Sequence, residues 1–175
     1  ACNPLVTALF PEKKTKMLVL GWHGVQHHHI FNLGSKVDPI IERSPCNVVI
    51  MKDCGGNKEF KNALVPIAGG PNGALALEIA SILTSPDEGK VTAFCVDTGK
   101  GAVNFDQFLE ENSKKFKIPR ENLKTKAIKS KSAMEAILLE AKKYDLVVLG
   151  VTEKSPLAQM GQMSLPEKIA CKTSK

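Results

Sequence analysis

Met17-Leu-Val-Leu-Gly-Trp-His-Gly24, followed after nine residues by Gly34-Ser35, is the stretch that decides how this chain folds. Its apolar opening, Met17 to Leu20, reads as a buried parallel strand. Residues 35–43 read as the start of a helix. A loop that leaves the carboxyl end of a parallel strand and enters a helix is where open α/β sheets receive ligands. Glycine allows close backbone approach to a phosphate, and the free amides of a helix start attract an anion. Two readings are open. Gly21, Gly24, Gly34 and Ser35 cradle phosphates, or the glycines make a tight turn and Ser35 only caps the helix.

The spacing G-x2-G-x9-G-[S/T] resembles the nucleotide-binding signature of the universal stress proteins, and Gly21, Gly24, Gly34 and Ser35 fill every place in it. The continuation, Ser35-Lys-Val-Asp-Pro-Ile-Ile-Glu-Arg-Ser-Pro-Cys-Asn-Val-Val-Ile-Met51, is similar to the family's helix that returns through Ser-Pro-Cys to a last apolar strand. The resemblance implies a Rossmann-like, doubly wound parallel α/β sheet. It also implies an adenine nucleotide, ATP, held by this first loop only.

An internal echo points to two units. A shift of 129 positions lays Leu18-Val-Leu-Gly21 on Val147-Val-Leu-Gly150, Ser35 on Ser164 and Ile40 on Ile169. In the second copy Glu153 stands in the place of Gly24 and Met163 in that of Gly34, so no phosphate is expected there. Between the echoes, residues 62–68, 91–96, 123–129 and 145–151 read as strands. Residues 71–83, 103–116 and 132–143 read as helices, and a last helix opens at Ser164-Leu-Pro-Glu167. The alternation predicts a parallel, doubly wound sheet. By the resemblance, residues 62–175 are expected as a second unit lacking its last strand, and residues 1–53 as a partial first unit of strand, glycine loop, helix and last strand. An alternative is that residues 46–52 supply the edge strand of the second unit, as a permuted single fold. By the same resemblance, Ala68 occupies the place of an aspartate that contacts base and ribose in nucleotide-binding members.

Composition narrows the function classes. Of 175 residues 43% are apolar and few are aromatic, which suits a helix-covered sheet. The net charge is +6, with lysine distributed along the chain and no compact basic stripe with interleaved aromatics, which argues against nucleic acid. An anionic nucleotide or the inner membrane surface fits the sign. Five cysteines without C-x-x-C pairing indicate a reducing compartment and thus a cytoplasmic location; Cys46 and Cys95 read as core thiols. Residues 63–84 carry one charge, Glu78, but Gly69-Gly70-Pro71-Asn72-Gly73 interrupts them, so a strand followed by a helix is expected, not a membrane span.

All four histidines, His23, His27, His28 and His29, fall in or beside the first loop. Three adjacent imidazoles converge poorly on one ion, and no metal site is expected. Trp22 reads as a packing residue beside the loop. No nucleophile elbow, Walker lysine or carboxylate pair with histidine is present, so no enzyme is expected. Asp97, at the carboxyl end of its strand, is either a strand-end charge or a residue facing a ligand crevice. The two-unit arrangement also resembles the tandem universal stress domains at the cytosolic C-terminus of amino-acid permease-type transporters. The resulting expectation is a non-enzymatic regulatory module at the inner face of a membrane, pairing as a homodimer or through its tandem units. A weak ATP hydrolase acting through Ser35 and a dimerisation module with a vestigial loop are the alternatives.

Overall fold

The computed structural model describes residues 17–22, 38–52, 59–85, 88–99, 103–112, 119–151 and 165–173. The described strands and helices, in chain order, are β1 (Met17–Trp22), α1 (Asp38–Arg43), β2 (Asn47–Lys52), β3 (Asn62–Pro66), α2 (Pro71–Leu83), β4 (Lys90–Asp97), α3 (Phe105–Asn112), β5 (Leu123–Lys129), α4 (Ala133–Ala141), β6 (Leu146–Val147) and α5 (Leu165–Lys172). Two parallel sheets result. One is the pair β1–β2, and the other has four strands in the order β5-β4-β3-β6.

The four-stranded sheet follows from period-two burial on strands that have two covered faces. On one face Ala63, Val65, Val91, Ala93 and Leu123 pack with Ala74, Ala76, Leu77 and Ala80 of α2 and with Phe108 and Leu109 of α3. On the other, Leu64 and Phe94 pack with Ile137 and Ala141 of α4 and Ile169 of α5. This division is what right-handed crossovers require. Moving from β3 to β4 to β5 in one direction puts α2 and α3 on one side, and returning past β3 to β6 puts α4 on the other. Strand β4 lies between β3 and β5, with Val91 through Cys95 all buried. Fully burying side chains such as Leu64, Leu77 and Phe94 contributes about 1.5–3 kcal/mol each.

Helix ends have local causes. Pro71 opens α2 after Gly69 and Gly70, whose φ values of 88° and 80° suit glycine. Ser132 caps α4 by accepting a hydrogen bond from the Glu135 amide at 3.3 Å. Asp145 holds the start of β3 by accepting from the amides of Lys61 (3.2 Å) and Asn62 (2.9 Å). Strand β2 reaches the second unit through Lys52, whose Nζ donates to the Ala170 and Thr173 carbonyls at 3.1 and 2.8 Å. That contact satisfies the exposed carbonyl end of α5 and places a cation at the negative end of its dipole.

Several expectations are corrected. Among the described residues strand β2 pairs with β1 and not with β6. On α2 the large residues Leu75, Ile82 and Leu83 do not form the buried face. Gly73, Ala74, Ala76, Leu77, Ile79, Ala80 and Ser81 are buried, while Ile82 is 52% exposed. Small residues let this helix lie close to the sheet: a Cβ added at Gly73 would sit 3.3 Å from Ile67. Strand β6 is shorter than residues 145–151, although the Val148 amide continues its ladder to the Leu64 carbonyl at 3.0 Å. Cys95 is buried as expected, but Cys46 is only half-buried. Residues 63–84 divide into β3 and α2 as expected, and no described helix is long and apolar enough to cross a membrane.

One buried charge was not anticipated. Glu140 of α4 accepts hydrogen bonds from Lys126 of β5 at 2.7 Å and from Lys143 at 3.0 Å. The Lys126 bond, reinforced by Lys143 and opposed by burial, holds the Glu140 carboxyl below its ordinary range. The stabilisation is therefore fully present above the unfolded carboxylate pKa and is lost as pH falls through the lower folded value. Glu140→Gln is expected to lower stability by about 1–3 kcal/mol at pH 7. In urea melts across pH 3–7 the gap to the parent protein should shrink on the acid side.

Candidate functional site

Strand order locates the ligand crevice of the second unit. The chain leaves β3 in one direction through β4 and β5 and comes back to lay β6 on the opposite side. The order therefore reverses between β3 and β6, and α/β sheets of this kind bind ligands outside the carboxyl ends at that point. Here the rim is built from Ala68, Gly69 and Gly70 after β3, Asn72 in the first turn of α2, Asp97 and Thr98 ending β4, and Gly150 and Val151 after β6. Ala68, Gly70, Thr98 and Val151 are exposed, and Asn72, Asp97 and Gly150 are half-buried.

Among the described residues this rim offers few polar groups to a ligand. Ala68 brings no polar group. The Asp97 carboxylate is turned onto its own chain, accepting from the Gly99 amide at 2.8 Å, which favours the strand-end reading. Asn72 spans the crevice and donates through Nδ2 to the Val151 carbonyl at 2.9 Å. Behind it, Gly150 lies so close that an added Cβ would stand 2.6 Å from the Asn72 carbonyl oxygen. This glycine, the echo of Gly21, is required by packing between the β6 end and α2. Asn72 is a residue that the sequence reading passed over; its only signal was its place after Gly69-Gly70-Pro71. The loop with Glu153, Gly161, Met163 and Ser164 lies outside the described residues.

The first unit presents a different strand end. Strands β1 and β2 run parallel in register from Met17↔Asn47 to Trp22↔Lys52, with α1 between them in sequence. Ile40 of α1 is buried, at 6% exposure. The return from α1 to β2 is tied by Ser44, whose hydroxyl donates to the Cys46 carbonyl at 2.9 Å and accepts from the Cys46 amide at 3.3 Å. Gly21 is exposed beside Met51, and an added Cβ would meet nothing within 4 Å. Unlike Gly150, then, Gly21 is not demanded by packing against any described neighbour. Gly24, Gly34, Ser35, the four histidines and the Trp22 side chain lie outside the described residues. Among the described residues no three His, Cys, Asp or Glu side chains group as a metal site.

No family model matches the sequence, and no curated protein matches it. Among solved structures the chain is similar to protein Rv1636 from Mycobacterium tuberculosis H37Rv, at 16% identity and a TM-score of 0.48, over 66% of this chain and 90% of that one. It is also similar to a universal stress protein in complex with cAMP, at 17% identity and a TM-score of 0.49, over 64% of this chain and 89% of the other. The architecture stated above stands on strand order and two-sided helix cover.

The two glycines that end echoing strands should respond differently to a methyl group. Gly150→Ala is expected to lower stability by about 1–3 kcal/mol through overpacking against Asn72. Gly21→Ala should leave stability unchanged or slightly raised. Thermal melts of the two variants beside the parent check the contrast.

Proposed function

We propose that this chain is a nucleotide-binding regulatory module of the universal stress type, with the ligand held only by the first unit. The observation that carries the reading is Gly21. It ends a parallel strand that is joined through a helix to its neighbour, and its lack of a side chain answers no packing need among the described residues. A glycine kept at a strand's carboxyl end with open space above it suits close backbone approach by a phosphate. In the spacing with Gly24, Gly34 and Ser35, the backbone amides and the Ser35 hydroxyl would take the phosphates of an adenine nucleotide, ATP in this reading. The second unit, with Ala68 on its rim and Asn72 across its crevice, serves as a partner that does not bind nucleotide.

The module is non-enzymatic in this proposal, because the sequence shows no nucleophile elbow, Walker lysine or carboxylate pair with histidine. Its place would be on the cytosolic face of an amino-acid permease-type transporter, where nucleotide occupancy of the first loop would be read by the membrane part. One observation favours a second reading, a dimerisation module. Among the described residues β2 has a strand neighbour on one side only, and Val19 of the same small sheet is 61% exposed.

Calorimetry with ATP, GTP and inorganic triphosphate tests the proposal. Binding of all three, with only modest adenine preference, is expected, because a glycine loop at a helix start addresses the phosphates and not the base. Gly34→Val should abolish binding without unfolding the protein. Ser35→Ala should weaken it by about 1.5–3 kcal/mol, roughly 10- to 150-fold. Absence of binding by any of the three, together with a dimer in light scattering, would replace this reading with the dimerisation module.

A further inference from the structure

The edge of the four-stranded sheet gathers charge that looks dispersed along the sequence. Residues 119–131 contain five cations, Arg120, Lys124, Lys126, Lys129 and Lys131, and one anion, Glu121. Thirteen residues thus carry +4 of a chain total of +6. Among the described residues β5 has one strand neighbour, β4, so this segment borders the sheet. Arg120, Lys124, Lys129 and Lys131 are exposed, as are the small residues Thr125 and Ala127 between them.

The ion cluster beneath β5 extends the same field. Lys126, with 40% of its side chain exposed, and Lys143, with 63%, share the single carboxylate of Glu140 and leave one positive charge uncompensated there. Lys142 beside them is exposed. Asp97, level with Lys129 in the β4–β5 register, is the further acid at this edge, and it is half-buried. Alternate residues on a strand lie roughly 6.6 Å apart, which is inside the ~8 Å Debye length of physiological salt. Lys124 and Lys126 form one such pair toward α4 and Lys129 lies toward the other face, so the edge as a whole is positive. Lysine on an edge strand also guards against strand addition, but that role does not need a net +4.

We propose that the β5 edge, with the adjoining end of α4, docks on an anionic lipid surface. Its composition favours lipid over nucleic acid. Residues 119–131 offer no aromatic ring on which a base could stack. The one arginine, Arg120, already donates from Nη1 to the Leu123 carbonyl at 3.1 Å. Lysines are mobile point charges suited to a fluid array of headgroups, each adding about fivefold to binding near the surface. Small residues between them allow a flat surface to come close.

Co-sedimentation of the whole 175-residue chain with phosphatidylcholine vesicles, with and without phosphatidylglycerol, tests this. Binding should require phosphatidylglycerol and fall as salt rises. Lys129→Glu with Lys131→Glu should lower it by at least about 25-fold. Lys90→Glu with Lys168→Glu, matched in charge and placed on β4 and α5, should lower it far less. If the glutamate pair fails to melt like the parent protein, Lys129→Gln with Lys131→Gln should still cause most of the loss. Equal loss from the control pair, absence of binding at low salt, or tighter binding to single-stranded RNA than to vesicles in the same buffer would each overturn the proposal.

Discussion

Strand β4 has no solvent face, and the second unit is arranged around that constraint. Val91, Ala93 and Cys95 point to one side and Thr92 and Phe94 to the other, all of them buried. A strand covered on both sides needs hydrogen-bonded neighbours on both edges and helices above and below, because every backbone group withdrawn from water must be paired. β3 and β5 supply the edges. Right-handed crossovers then leave α2 and α3 on one face and α4 and α5 on the other. The reversal of strand order between β3 and β6, and so the position of the carboxyl-end crevice, is a consequence of covering β4 twice.

Within that frame two glycines that echo each other in sequence do unlike work. Gly150 is small because the end of β6 must pass against the first turn of α2, and Asn72 then closes the gap with a hydrogen bond to Val151. Gly21 ends its strand in open space. The same residue type is thus a packing requirement in one unit and an accessible backbone position in the other. Lys52 joins them by reaching from the last residue of β2 to the carbonyl end of α5.

Charge is also divided. The carboxyl-end rim of the second unit has Asp97 as its charged residue, already satisfied by a backbone amide. The positive charge lies instead on β5 and the end of α4, where Glu140 gathers Lys126 and Lys143. A lysine-rich edge resists strand addition and leaves the sheet with a defined border. The strand most exposed to water is therefore the one that sets the electrostatic character of the surface.

Much of this was legible in the residues alone. Apolar runs of strand length alternating with helical periodicity give the parallel α/β class, and the bounds of α2 and β5 follow from Pro71 and from the Leu123–Lys129 alternation. Ser132 announces the cap of α4 three residues before Glu135. These features are local, and local sequence carries them. What the chain could not reveal by itself depended on which residues meet across long separations. The buried face of α2 is its alanine side, because close approach to the sheet outweighs side-chain size. Among the described residues β2 pairs with β1 and not with β6, a pairing set by contacts between elements. Glu140 is tolerated in the core because β5 brings Lys126 to it from fourteen residues away. Asn72 meets Val151 across seventy-nine residues. Packing and pairing of this kind belong to tertiary structure, since burial and hydrogen-bond satisfaction are settled between elements and not along them.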